Sequence, residues 1–443
     1  MKNMKKVFAL GLTVAMTASM LAGCGGSTST ESAGTGSSAA TESAAAASGD
    51  GASITIYNSK MEIQTQLEDA AKAYKDATGV SVEVFMQNDT VASDLATAYA
   101  SGSPYTINMV DAKDIYSMAE EHALDLSGEK WIGDTTEAIS IGDKVYGFPV
   151  CVEARGLIYN ADAIKNITGE DFDPTQYKTL DSFKELIDKL KAGGMETPTG
   201  VMMEDWSLGA HYLAMVYEER EDTDAFLASL NDGSASIADD AKFTSLMDTF
   251  DVLKENNYAS ADPISADREV TEQKLAQGEI AFMFGGNWDW SVLSAYEPTE
   301  NMGMMPVPQN TDDGTNEKLV GGGSKYFFID SSDNTSADQQ QAAKDFLNWL
   351  VYDEAGQAVL VNDCALVPAF SNITLDVSDP LGASVKSYAD SGSLVANYNY
   401  LPDDHYSVLG GQAFQKYLAG QSDRAGFATE IDDYWKAATL SAH

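Results

Sequence analysis

SITIYNSKMEIQTQLEDAAKAYKDATGVSVEVFM, residues 53–86, reads as a strand, a helix and a second strand. Ser53–Tyr57 is a short run rich in β-branched residues. Glu62–Thr78 carries Ile63, Leu67, Ala70, Ala71 and Tyr74 at helical spacing, and Gly79 supplies the stop. Val80–Met86 alternates as a half-buried strand does. Thr90–Ala100 continues as a helix and Thr106–Val110 as a third strand. This alternation with short connections predicts a parallel sheet flanked by helices. Ligands of such sheets bind at the carboxyl ends of the strands. That singles out Asn58–Glu62, with Asn58 and Lys60 foremost, then Gln87–Asp89, and Asp111–Asp114, with Asp111 and Asp114 foremost.

Upstream, Lys2, Lys5 and Lys6 precede an uncharged run, Val7–Met20. A basic start followed by a short apolar stretch is the layout of a secretory signal. The run is shorter than the roughly 20 residues a helix needs to cross a bilayer. Leu21-Ala22-Gly23-Cys24 resembles the lipobox of bacterial lipoproteins. That resemblance implies acylation of the Cys24 sulfur and removal of residues 1–23; an ordinary cleaved signal with an unrelated cysteine is the alternative. Residues 25–52 contain only Gly, Ser, Thr, Ala, Glu and Asp, which cannot repay the entropy of ordering. Residues 24–52 therefore read as a lipid anchor and a disordered linker, spanning about 30 Å by the scaling of Gly/Ser-rich chains. The folded part begins near Ser53 and is expected on the extracellular face of the cell membrane.

The chain has 443 residues and a formal charge of −41, which becomes −44 without the three lysines of the signal. What remains after residue 52 suits two domains better than one core. So acidic a chain is a poor partner for nucleic acid. After Cys24 only Cys151 and Cys364 remain, which read as buried free thiols, with a bridge between them left open. His122, His211, His405 and His443 are scattered and make no zinc spacing. Gly321-Gly322-Gly323-Ser324 lacks the ending of a phosphate loop. No metal and no cofactor is expected.

Further along, Lys144–Val152 and Gly156–Asn160 read as two extended segments, and Leu180–Lys191 as an amphipathic helix. Trp206–Glu218, Asp224–Leu230, Phe243–Asn256 and Thr271–Gln277 read as helices, and Ile280–Phe284 as a buried strand. Lys325–Ile329 reads as a strand. Ala337–Val351, Glu354–Asn362, Ser407–Leu418 and Asp423–Ala437 read as helices. Strands and helices alternate throughout, so both domains are α/β.

Several local patterns coincide in order. Gly147-Phe148-Pro149-Val150 followed by Gly156-Leu157-Ile158-Tyr159-Asn160 is one. Leu275-Ala276-Gln277-Gly278-Glu279-Ile280-Ala281-Phe282-Met283 leading to Gly285-Gly286-Asn287-Trp288 is another. Ala342–Leu350, Asp353-Glu354-Ala355-Gly356 and Ala365-Leu366-Val367-Pro368 complete the set. Together they resemble the extracellular solute-binding proteins of bacterial ABC importers, the family that includes maltose-binding protein. The resemblance spans nearly all of Ser53–His443. It implies a periplasmic-binding-protein-like fold: two α/β lobes joined by a hinge, with the ligand cleft between them. The implied lobes are 53–154 plus 307–364 and 155–306 plus 365–443, with Cys151 and Cys364 near the hinge.

A sugar site needs aromatic faces for C–H surfaces and planar polar groups for hydroxyls. The resemblance places a stacking ring at Trp288, after the open backbone of Gly285-Gly286; Trp290 is taken for the core. It places a ligand-contacting acid at Glu153 and an acid and an aromatic at Asp205 and Trp206. Arg155 is able to fork onto hydroxyls or a carboxylate, and an ion pair at the hinge is the other reading of Glu153 and Arg155. Asp205 and Trp206 also read as a helix cap and a core aromatic. Gly322, Gly323 and Ser324 precede a strand and offer backbone N–H groups. Another stacking ring falls among Tyr400, His405 and Tyr406, with Tyr406 taken for the site; Trp435 belongs to the core.

The expected function is that of a membrane-anchored, monomeric substrate-binding component that delivers an oligosaccharide to an ABC permease. A polyol or polyamine ligand, or a sensor that presents its ligand to a receptor, are alternatives. A surface glycoside hydrolase is a remote one, because no residue pattern fixes a catalytic carboxylate pair.

Overall fold

A computed structural model describes residues 52–440. The signal run, Cys24 and the rest of the tether up to residue 51 lie outside the described residues. The opening units form β1 (Ile54–Asn58), β2 (Val82–Met86) and β3 (Ile107–Asp111), with α1 (Gln64–Thr78) and α2 (Val91–Ala100) between them. The α1 stripe buries Leu67, Ala70, Ala71 and Tyr74, and Gly79 ends the helix at φ 82°, a left-handed conformation that costs glycine little. Thr90 caps α2 through its side chain. A further helix, α3 (Ala112–His122), follows β3 directly. Its first turn is fixed by Asp114, whose carboxylate accepts from the Asp111 backbone N–H at 3.1 Å.

The other strands are β4 (Ile139–Ile141), β5 (Lys144–Asn160), β6 (Thr199–Gly200), β7 (Phe282–Gly286), β8 (Met302–Met305), β9 (Leu319–Ile329) and β10 (Leu394–Val395). One sheet runs β2-β1-β3-β9-β5-β7-β6, with β4 and β8 pairing β5, and β10 pairing β9. The sheet is mixed rather than parallel. β1 pairs parallel with β2 and β3, but β9 lies antiparallel between β3 and β5. The two extended segments expected at Lys144–Val152 and Gly156–Asn160 are one strand of 17 residues, β5, which runs unbroken through Glu153–Arg155. Proline donates no ladder bond, and the register shifts there, between Pro149 and Val152.

β9 also begins six residues earlier than its apolar run. Gly322, Gly323 and Ser324 therefore lie inside a strand, not ahead of it. Glycine reads as loop in sequence, yet at Gly321 a Cβ would strike the Glu153 carbonyl across the ladder. Close approach of β5 and β9 is what requires it.

Three cores flank these strands. The first includes Ile56, Met109, Phe148, Val150, Ala154, Ile158, Met304, Leu319 and Phe327. The second gathers Leu157, Val320, Phe282 and Phe284 with the helices after residue 180. The third gathers Tyr57, Val110, Tyr146, Tyr326 and Phe328 with α2 and α3. Ile158 and Leu319 go to the first core while their neighbours Leu157 and Val320 go to the second, as alternation along a strand demands. Leu366, Val367, Phe370, Ile373 and Val385 join the first core, and Val307 the second. The segment after Val307 docks on the helix Ala241–Glu255, where Lys242 Nζ meets Asp313 at 2.8 Å.

Candidate functional site

Along β5 the third core ends at Tyr146 and the second begins at Leu157; along β9 they end at Tyr326 and Val320. The stretch between carries Glu153, Arg155, Ser324 and Lys325. It is flanked by the carboxyl ends of β1 and β3, where the parallel-strand rule places ligands.

On that flank, charges are paired. Lys60 Nζ lies 2.5 Å from Glu153 Oε1 and 2.7 Å from Glu62 Oε1. The Lys60 backbone N–H donates to Asn58 Oδ1 at 2.9 Å, so Asn58 shapes the turn that delivers the lysine. Burial opposes the ammonium, but Glu153, Cys151 and Glu62 outweigh it and raise the Lys60 pKa. Burial likewise opposes the Glu153 carboxylate; the charge and hydrogen bond of Lys60 reverse the sign, and its pKa falls. Lys325 Nζ lies 2.6 Å from Asp111 Oδ1 and 3.4 Å from Ser59 Oγ. Burial and neighbouring Asp111 push Asp114 up to about 6. Gly323 N–H donates to Glu137 Oε2 at 2.6 Å, and Cys151 Sγ lies 3.4 Å from Ser324 Oγ. Cys151 and Cys364 are both buried free thiols.

Arg155 is buried and committed to the protein. It pairs with Glu218, donates through Nη1 to Asn397 Oδ1 at 2.7 Å, and through Nε to the His211 carbonyl at 3.2 Å. The ion-pair reading thus describes both hinge residues: Glu153 with Lys60, and Arg155 with Glu218.

The opposite flank is aromatic. Trp206–Leu213 and Tyr406–Phe414 are π-helical turns that cross at glycines. A Cβ on Gly209 would lie 2.8 Å from Tyr406 Cα, and one on Gly410 would strike the Asp205 carbonyl. This crossing brings Asp205, Trp206 and Tyr406 together. Asp205 caps the first turn, accepting from Trp206 N–H at 2.7 Å. The His211 ring stands 5.1 Å from Trp206 and 4.9 Å from Trp288 by centroids. Trp288 and Trp290 are both partly exposed, Trp290 packing against the first core, and Trp435 is fully buried. Asn287 Oδ1 accepts from Ala154 N–H at 3.0 Å, tying the Trp288 turn to β5. Behind the rings, the Arg268 guanidinium lies 4.3 Å over Trp206 and pairs with Asp289 at 2.7 Å. Buried Glu272 shares this pocket, and burial and Asp289 push it up to about 9.

The two flanks meet through α3. Tyr116 lies 4.6 Å from Tyr400, Lys113 Nζ 3.8 Å from Asp403, and the same ammonium 5.8 Å over the Tyr406 ring. His405 turns inward against Tyr217 and Trp435, and burial pushes its pKa down to about 3. A cavity of about 710 Å³ lies elsewhere, beside α2. Its Asp94 is occupied by Tyr57 Oη and by the Asn88 and Asp89 N–H groups.

The profile of the family described as bacterial extracellular solute-binding protein matches residues 69–390. The chain belongs to that family. A maltooligosaccharide ABC transporter solute-binding lipoprotein of Streptococcus pneumoniae is 24% identical over 212 residues, 46% of this chain and 45% of that protein. The chain spans about half the length of the curated relatives it matches. Among solved structures, a chitin oligosaccharide binding protein is similar with TM-score 0.69 and 20% identity, covering 88% of this chain and 99% of that one. A manno-oligosaccharide specific solute binding protein of Bifidobacterium animalis subsp. lactis, solved with mannotriose, has TM-score 0.62 and 18% identity, covering 87% of this chain and 94% of that one. The fold of this family member is therefore periplasmic-binding-protein-like, with two α/β lobes.

The sequence pointed to part of this candidate site, Glu62 included within Asn58–Glu62, and did not single out Lys325, Glu137, Tyr116, His211 and Arg268. Lys325 opens an apolar run that reads as strand, and Tyr116 sits in a helical turn. His211 falls five residues after Trp206, a spacing that matches neither turn of an α-helix but suits the wider π-helical turn.

Proposed function

We propose that this chain is the substrate-binding component of an ABC importer, binding a neutral oligosaccharide between its lobes and passing it unchanged to a permease. One observation carries the reading. An aromatic wall of Trp206, Trp288 and Tyr406 and a charge-balanced wall of Lys60, Glu153, Asp111 and Lys325 are hung on either side of β5 and β9. Ring faces suit sugar C–H surfaces, and ordered polar groups suit hydroxyls. Each lysine faces its own carboxylate at 2.5 to 2.6 Å, so the wall offers an anionic ligand no unpaired cation. The similar proteins named above, by their descriptions, bind maltooligosaccharide, chitin oligosaccharide and mannotriose.

On this reading Asn58, Lys60, Asp111, Asp114, Glu153, Gly323 and Ser324 line one side of the cleft. Asp205, Trp206, Trp288 and Tyr406 line the other, with Arg155 supporting them from beneath. The lobes of this reading are 53–154 plus 307–364 and 155–306 plus 365–443. The protein acts as a monomer, without cofactor or catalysis, on the extracellular face of the membrane, held by a lipid on Cys24.

A thermal-shift screen over mono- and oligosaccharides tests it. A ligand at 100 times its Kd adds about 2.7 kcal/mol of stability. Stabilisation by an oligosaccharide that is recovered intact is the expected result. Stabilisation by polyamines alone, or turnover of the sugar, overturns the reading.

A further inference from the structure

His211 stands between the two tryptophans of the aromatic wall, its ring 5.1 Å from Trp206 and 4.9 Å from Trp288. Packing alone does not account for a histidine there. A phenylalanine fills similar space and brings no polar atoms to bury. His211 Nδ1 and Trp288 Nε1 are both buried, and neither meets a hydrogen-bond partner within the protein. Buried polar atoms left unpaired are rare in native proteins, and here two of them belong to adjacent rings.

Their chemistry is complementary. The indole N–H only donates, whereas a neutral imidazole presents one donor and one acceptor nitrogen. Burial disfavours the imidazolium, and the charges of Arg155 and Arg268 act in the same direction, so the ring is neutral. One hydroxyl satisfies both atoms: its oxygen accepts from Trp288 Nε1 and its proton goes to His211 Nδ1. The ring centroids lie 4.9 Å apart, and a bridging oxygen makes hydrogen bonds of about 2.9 Å. The pair is held from behind. Arg155 Nε donates to the His211 carbonyl at 3.2 Å, and Asp289 Oδ2 accepts from Gly286 N–H at 2.9 Å beneath the Trp288 turn.

We propose that His211 is a specificity-determining residue of the cleft, which together with Trp288 reads one hydroxyl of the bound oligosaccharide as both acceptor and donor. The proposal rests on the saccharide-binding reading above. An ether oxygen at that position accepts but cannot donate, and a deoxygenated carbon does neither, so both are discriminated against.

The test uses the folded protein and isothermal titration calorimetry. Maltotriose, raffinose, stachyose, mannotriose and chitotriose are titrated first, then the singly deoxygenated and singly O-methylated analogues of the tightest binder. In the wild type one position should stand out, with at least a tenfold loss for the deoxy and the methyl analogue alike. His211→Phe should bind the parent sugar about tenfold more weakly and lose the discrimination at that position only. His211→Gln, which restores an acceptor, should recover part of it. Circular dichroism and melting of both variants control for folding. Equal parent affinity of His211→Phe, or a tenfold analogue penalty that survives in it, overturns the role of His211 and leaves saccharide binding standing. Failure of the wild type to bind any of the five sugars overturns both.

Discussion

Lys60 Nζ sits 2.5 Å from Glu153 Oε1, and this contact joins the carboxyl end of β1 to the middle of β5. Both side chains are largely withdrawn from water, so each is tolerable only because of the other. Glu153→Gln should therefore cost about 3–5 kcal/mol of stability in urea denaturation near neutral pH. The double change Lys60→Met with Glu153→Leu should cost less than the sum of the single ones. The pH dependence has a defined sign. The Glu153 pKa is lower folded than unfolded. Its contribution is thus full above the ordinary glutamate range and disappears as acidification takes the pH down through the folded value. Additive single-variant costs would show the pair to be uncoupled.

Trp288 is a partly exposed ring of the proposed aromatic wall. Trp288→Ala should weaken oligosaccharide binding by about 1–3 kcal/mol, the value of losing an aromatic face against C–H groups. Calorimetry on the variant, with melting as a control, decides this; unaltered affinity removes the ring from the site.

Glu272 behaves in the opposite sense to Glu153. Burial and Asp289 hold its pKa near about 9 when folded, above its unfolded value. The stabilisation is complete below the unfolded value and is lost as pH rises through the folded one. Glu272→Gln should flatten that decline, with the gap between variant and wild type growing by at most about 1.4 kcal/mol per pH unit over this range. Urea midpoints at pH 5, 7 and 9 measure it. Parallel pH profiles of the two proteins would be incompatible with a shared proton at this pocket.

Gly410 lies where the turn bearing Tyr406 crosses the turn bearing Trp206. A methyl group there meets the Asp205 carbonyl. Gly410→Ala should cost about 1–3 kcal/mol through overpacking and displace the aromatic wall, so stability and sugar affinity fall together. A variant that keeps both would mean the crossing is loose.

Cys24→Ser should move the protein from the membrane pellet to the soluble fraction. Continued sedimentation with membranes would assign the anchoring to something other than acylation.

Much of the architecture was legible because burial imposes periodicity. α1 showed its stripe, Gly79 its stop, and β7 its apolar run. The sequence misled where local chemistry and tertiary role diverge. Gly321–Gly323 look like loop and are strand, because two backbones pass too close for side chains. Glu153–Arg155 look like a break between two extended segments and lie within one long strand. In the candidate site, Asp111, Trp288 and Glu153 stood out through position after a strand or through family resemblance. Lys325 and His211 did not, because nothing local in an apolar run or a helical turn tells which way a side chain faces. Arg155 was read toward the ligand, and its partners Glu218 and Asn397 lie 63 and 242 residues away, beyond any local pattern.

β5 and β9 run side by side from the third core to the second, paired from Phe148 to Arg155 with a register shift at Cys151. Any turning of one half against the other must be taken up as torsion spread along that ribbon, not as free rotation about a slack joint. If the halves turn when the proposed ligand binds, the ribbon resists like a leaf spring, and part of the binding free energy goes into twisting it.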